Sequence, residues 1–139
     1  MEFVIIDLKH FEALKKLQAG YKAEIEENTP TEENWKSLYH AIENKNILFY
    51  GCMCEGSLIA CCSVCPTYST FNYDKAGVFE DFYILPEHRH KGIARKLVNY
   101  AYEESGIQSL TVGAADCDTD MYRSLGFSIP LGNMLAFEI

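Results

Sequence analysis

The stretch FEDFYILPEHRHKGIARKLVNYA, from Phe79 to Ala101, constrains the fold of this chain more than any other. It reads as an apolar strand running into Leu85-Pro86, a short charged turn, and a helix opening near Gly92. Four of the 12 Lys and Arg residues (Arg89, Lys91, Arg95 and Lys96) crowd into the turn and the first helical residues, on a chain of net charge -8. Cations at a helix N-terminus oppose the helix dipole, so a helix that only had to be stable would favour acids there. An anion resting on the unpaired N–H groups of the helix start, with basic side chains around it, resolves the conflict. Gly92 removes a side chain where such an anion needs close approach to the backbone. The pattern predicts a pyrophosphate cradle; the alternative is a merely solvated turn.

The remaining segments supply a sheet for this unit. Phe3–Ile6 is β-branched and aromatic and reads as an edge strand. Phe11, Leu14, Leu17, Tyr21 and Ile25 recur at three- and four-residue steps and predict a helix from Leu8 to Glu26. Thr29-Pro30-Thr31-Glu32 reads as a capped helix start, and a second helix from Pro30 to Glu43 should pack Trp35, Leu38, Tyr39 and Ile42. Ile47–Cys54 and Leu58–Cys65 are strands about a Glu55-Gly56-Ser57 hairpin turn. Pro66–Asp74 reads as a loop, Ala76–Leu85 as a strand, Gly92–Ser105 as a helix and Ser109–Gly113 as a short strand. Thr119–Leu125 is a brief helix closed by Gly126, and Phe127–Ile129 and Leu135–Ile139 read as final strands. Strand, helix and strand between Ala76 and Gly113 imply a parallel crossover within a mixed sheet.

Length and charge exclude several classes. A chain of 139 residues is expected to form one domain, 1–139. No apolar run is long enough for a membrane span, and MEFVIIDLKH lacks the basic start of a secretory signal, so a cytoplasmic location is expected. Twenty Asp and Glu against 12 Lys and Arg argue against a nucleic-acid footprint. The six cysteines lack the paired spacing and His partners of a zinc site, so no metal is expected. They read as reduced, packed thiols, Cys117 included.

Arg89-His90-Lys91-Gly92-Ile93-Ala94 resembles the acyl-coenzyme A motif Arg/Gln-x-x-Gly-x-Gly/Ala of the GNAT superfamily of N-acetyltransferases. Met121-Tyr122-Arg123-Ser124-Leu125-Gly126-Phe127 is similar to the family's Tyr-x-x-Leu-Gly-Phe ending, and the order of strand, motif, helix, strand and ending agrees over Ala76–Phe127. Ala115 and Asp118 stand where relatives often have Asn and Ala. The resemblance implies an α/β (α+β) fold: a mixed, mostly antiparallel sheet of six to seven strands, helices on both faces, splayed between the fourth and fifth strands. It implies acetyl-coenzyme A as co-substrate, with pyrophosphate on the Arg89, His90, Lys91, Gly92, Ile93 and Ala94 backbone and Arg95 close by. The pantetheine arm would lie along Phe82, Tyr83 and Ile84.

On that resemblance the reaction is direct acetyl transfer to a primary amine, a small molecule being favoured and a cationic one suggested by the acidic surface. A coenzyme A-binding sensor without turnover is the alternative. An alkyl amine is only about one part in a thousand neutral at pH 7, so a base or water relay matters. Glu80-Asp81-Phe82 matches relatives that put this role on Glu80, and Glu80 and Asp81 are expected on opposite faces of the strand. Tyr122 matches the family's general acid for the departing thiolate. His88 and His90 are expected beside the cradle, and the protein is expected to be a monomer or homodimer.

Overall fold

The computed structural model describes residues 1–138. Five strands form one sheet in the order β1 (Glu2–Ile6), β2 (Leu48–Cys54), β3 (Ser57–Ser69), β4 (Asp74–Ile84) and β5 (Ser109–Val112). The first three pairings along the sheet are antiparallel and β4–β5 is parallel. The four α-helices are α1 (Phe11–Glu24), α2 (Glu32–Glu43), α3 (Ile93–Ser105) and α4 (Thr119–Ser124).

Each sheet face has its own apolar cluster. Leu14 and Leu17 of α1 meet Ile6, Phe49, Leu58, Cys61 and Tyr83 on one face. Ile93, Leu97, Val98 and Ala101 of α3 meet Tyr50, Ala60, Cys62, Val64, Phe79 and Ile84 on the other. Three- and four-residue spacing of apolar residues thus sets which side chains of both helices are inward.

Several expected boundaries move, each for a local reason. Leu8–His10 is a 3-10 turn capped by Asp7, and α1 starts only at Phe11. The second helix starts two residues later than expected. Thr31, not Thr29, is its N-cap, because the Thr31 hydroxyl accepts from the Asn34 N–H and the Asn34 carboxamide oxygen accepts from the Thr31 N–H. The expected Pro66–Asp74 loop is mostly strand, since β3 runs to Ser69 and β4 begins at Asp74. Pairing of β3 with β2 ends at Val64, so one edge of β3 is open beyond it, the setting in which a strand tolerates Pro66.

The expected sixth and seventh strands do not form among the described residues, and the sheet has five. Pro130 lacks a donor and Gly132 turns the chain at φ +91°, which breaks the run that a ladder needs. Ile129, Leu131, Met134, Leu135 and Phe137 are exposed in this tail, while Ile139 lies outside the described residues. Among the cysteines, Cys52, Cys61 and Cys62 are buried, and all six are free thiols. Cys117 is exposed, contrary to the packing role expected of it. Among the described residues no helix is long and apolar enough to cross a membrane.

Candidate active site

The charged turn has the backbone of an anion cradle. A 3-10 turn, Pro86–His88, leads from β4 into Arg89, whose N–H is spent on the Pro86 carbonyl. His90 and Gly92 then adopt left-handed conformations, φ 62° and φ 79°. Among the described residues no acceptor outside the helix takes the N–H of His90, Lys91, Gly92 or Ile93. Those N–H groups precede the first bond that α3 can make internally. A Cβ built on Gly92 would meet nothing within 4 Å, so the glycine borders open space. That space, beside unpaired donors and at a positive φ that disfavours other residues, fits a bound diphosphate.

A slot opens beside the cradle. The β4–β5 pairing runs from Ala76↔Ser109 to Phe79↔Val112 and stops there, although β4 continues to Ile84. From Glu80 onward the β5-side edge of β4 has no strand partner among the described residues. Beyond Phe79 this edge of β4 has main-chain groups with no strand opposite them, although the Ile84 carbonyl accepts from Arg89.

Tyr122 stands near this opening in an aromatic group. Its ring centroid lies 6.5 Å from Phe79, 6.4 Å from Phe82 and 5.9 Å from Phe127. The Leu-Gly-Phe ending produces that placement. The N–H groups of Leu125 and Phe127 both donate to the Tyr122 carbonyl at 3.1 Å, and Gly126 takes φ +111° so the chain can reverse. Burial, then the charges of Tyr21 and Asp118, push the Tyr122 phenol up to about 12.

A family model described as an acetyltransferase (GNAT) domain matches residues 44–129, more than half of the chain. The chain belongs to the GNAT acetyltransferase family. No functionally curated protein matches it by sequence. Among solved structures it is similar to a possible acetyltransferase from Clostridium difficile 630, at TM-score 0.86 and 16% identity over 99% of this chain and 97% of that one. It is also similar to a "predicted acetyltransferase with acetyl-CoA" from Clostridium acetobutylicum, at TM-score 0.79 and 15% identity over 99% and 95% of the chains. An aminoglycoside acetyltransferase from an uncultured soil metagenomic sample, in complex with sisomicin, gives TM-score 0.82 and 14% identity over 99% and 95%. At such identities the likeness shows the fold.

In this acetyltransferase the side chains around the cradle divide into two sets. Lys91 and Lys96 are exposed beside the free N–H groups. Arg89, expected to surround the anion, is committed elsewhere. Its guanidinium donates to both carboxylate oxygens of Glu24 at 2.9 and 2.6 Å, and its Nε donates to the Ile84 carbonyl at 2.8 Å. It also lies 5.5 Å from the Tyr83 ring centre. Gly20 in α1 permits this stack, because a Cβ there would come within 3.0 Å of the Tyr83 hydroxyl. The hydrogen bond from Arg89 holds the Glu24 carboxyl below its ordinary range. Arg95 donates to the Ser124 carbonyl at 2.8 Å, at the C-terminal end of α4 where a cation is favourable. His88 is turned inward, with its Nδ1 buried and unpartnered among the described residues, whereas His90 is exposed.

Strict alternation is wrong for Glu80 and Asp81. Ser63 pairs with Glu80 and Cys61 with Tyr83, so Asp81 and Phe82 together oppose Cys62 in a β-bulge, with Asp81 at φ 53°. The extra residue brings both carboxylates to the α1 face. Ser63, fully buried, donates its hydroxyl to Asp81 Oδ2 at 2.7 Å. Tyr21 of α1 faces the same acids: burial raises its phenol first, and the charges of Asp81, Glu27, Glu80 and Asp118 add to it. Tyr21, Glu24 and Ser63 escaped the reading of the sequence. Tyr21 has the spacing of a core residue, Glu24 lies in an acidic run, and Ser63 is a polar interruption of an apolar strand. None of the three carries a motif.

Proposed function

We propose that this acetyl-coenzyme A-dependent enzyme, a single acetyltransferase domain, moves the acetyl group directly to a primary amine on a small, cationic acceptor. The observation that carries this reading is the meeting of two unsatisfied backbone sets: free N–H groups at His90–Ile93 and the open β4 edge beyond Phe79. Acetyl-coenzyme A carries anionic phosphates for the first, an amide-bearing arm for the second and an acetyl thioester at the arm's end. The His90, Lys91, Gly92, Ile93 and Ala94 backbone would hold the phosphates, and Phe82, Tyr83 and Ile84 the arm. Arg89 and Arg95 would support the cradle through Glu24 and Ser124 instead of by direct contact.

Glu80 is assigned as base, directly or through water, with Asp81 beside it on the same face. At pH 7 roughly 4 kcal/mol separates the charged amine from its reactive form, and a carboxylate, or a water it holds, gives the released proton a place to go as the amine attacks. Tyr122 is assigned as the acid that protonates the departing thiolate. A phenol pushed up to about 12 by burial is protonated at neutral pH, as the role requires, but burial also makes it a weaker acid, so its placement beside the opening and not its acidity carries the assignment. The carboxylates on the α1 face favour a cationic acceptor, and one neighbour of this fold is an aminoglycoside acetyltransferase in complex with sisomicin.

Thiol release from acetyl-coenzyme A, measured across a panel of amines, tests the reading. Amine-dependent release is expected from the wild type, with cationic acceptors preferred. Saturable cofactor binding without release for any amine would sink the assignment of turnover.

A further inference from the structure

Backbone hydrogen bonds settle which way the end of β4 points. The Leu85 N–H donates to the Ile59 carbonyl of β3 at 2.9 Å, so it faces β3. Across a trans peptide the preceding carbonyl points the opposite way, which turns the Ile84 carbonyl toward the slot. Tyr83 stands opposite Cys61 of β3, and main-chain groups change side from one residue to the next. Phe82 and Ile84 are therefore the residues whose main chain faces the slot.

Arg89 occupies one of those groups. Its Nε donates to the Ile84 carbonyl at 2.8 Å, and its two terminal nitrogens are held by the Glu24 carboxylate at 2.9 and 2.6 Å. The guanidinium also lies 5.5 Å from the Tyr83 ring centre, and that ring packs beneath Gly20 of α1. The side chain is thus fixed from α1 and from β4 at once. A guanidinium only donates, so it lies where an incoming N–H would have to lie and repels a second donor.

What remains open to an amide-bearing arm is the N–H and carbonyl of Phe82 and the N–H of Ile84. An arm amide seeks an acceptor as well as a donor, and only Phe82 supplies both. With the Ile84 carbonyl open, the arm could pair two residues further along, a shift of roughly 6.6 Å at about 3.3 Å per residue. Displacement of about 1 Å already costs a transfer reaction heavily. Tyr122 packs against Phe82, with ring centres 6.4 Å apart, so it serves one register and not the other. We propose that Arg89, held by Glu24, is a positioning residue that closes the Ile84 carbonyl and thereby fixes the register of the cofactor arm on β4. The assignment rests on the acetyl-transfer reading above. It directs this cation of the turn to the arm and not to the phosphates.

Glu24→Ala combined with Arg89→Met removes the cap and one charge of each sign, so the net charge holds. Both side chains keep contact with water, so the variant should retain the folded circular dichroism signal. A second register adds bound states that lead to no product. With spermidine, glucosamine or an aminoglycoside as amine, kcat and the acetyl-coenzyme A KM should therefore fall together, each roughly fivefold, while kcat/KM holds. A role only in tying α1 to the sheet would leave both constants unchanged, and contact with the phosphates would raise KM. Either result would overturn the proposal. Nitrogen-15 spectra test it without turnover. In the wild type, saturating acetyl-coenzyme A should leave the Arg89 Nε–H resonance in place and shift those of Phe82 and Ile84 to a single bound set. The double variant should show two bound sets. A displaced Arg89 Nε–H, or a single bound set in the double variant, would sink the register stop even if thiol release is normal. The expected spectra without thiol release for any amine would keep the register stop and remove acetyl transfer, and no binding by the wild type would overturn both.

Discussion

Single side chains around the cradle have separable jobs, and substitution can tell them apart. Tyr122→Phe keeps the ring among Phe79, Phe82 and Phe127 and removes only the hydroxyl. The expected result is a fall in kcat of about a hundredfold, with acetyl-coenzyme A affinity by calorimetry largely unchanged. A parallel loss of affinity would mean that the phenol holds the cofactor instead. Glu24 is a test through pH. Its folded carboxyl lies below the ordinary range because Arg89 donates to it, so the pair adds stability above the unfolded value and loses it as pH falls through the folded one. The melting temperature of the wild type should therefore exceed that of Glu24→Gln at pH 7, and the difference should close below about pH 4. Both side chains keep contact with water, 33% and 46% exposed, so the gain is at most about 1 kcal/mol.

Two secondary-structure features carry the site, and each has its own weak point. The turn into α3 depends on a left-handed Gly92 beside open space. Gly92→Glu adds strain of about 1–2 kcal/mol and places a negative side chain where the phosphates are expected. Isothermal titration should then detect no acetyl-coenzyme A binding, while circular dichroism retains the folded signal. The bulge in β4 depends on the buried Ser63 hydroxyl bonded to Asp81. Ser63→Ala should lower kcat for the amine more than it changes cofactor affinity, because the carboxylate beside Glu80 loses its fixed donor. Equal changes in both would argue that the bulge supports the cofactor slot and not the acceptor side.

On the scale of the whole molecule, one ligand would contact several elements at once. The cradle belongs to α3, the slot to β4 and β5, and Tyr122 to α4. Saturating acetyl-coenzyme A should accordingly raise the melting temperature by roughly 9 °C, from about 2.7 kcal/mol of linkage at a hundredfold excess over Kd. Gly92→Glu should show no such rise.

Local chemistry was enough to read the turn, the helix after it, the parallel crossover and the short helix closed by Gly126, while Tyr122 was marked by the family resemblance. Glycines at fixed places, helical spacing and a charge conflict act over a few residues, and each leaves a pattern in the chain. The strand count, the same-face acids and the fate of Arg89 were decided elsewhere. A bulge depends on which residues of β3 oppose β4. Arg89 and Glu24 are 65 positions apart and meet only because α1 packs over the end of β4. Apolar residues in the tail form no strand because a ladder requires a partner, and Pro130 and Gly132 interrupt the run. Sequence alone thus determined where N–H groups would be left free at the start of α3. Tertiary packing decided which charged side chains remained available to it, since a guanidinium goes to the best-placed carboxylate, and distance along the chain does not set that choice.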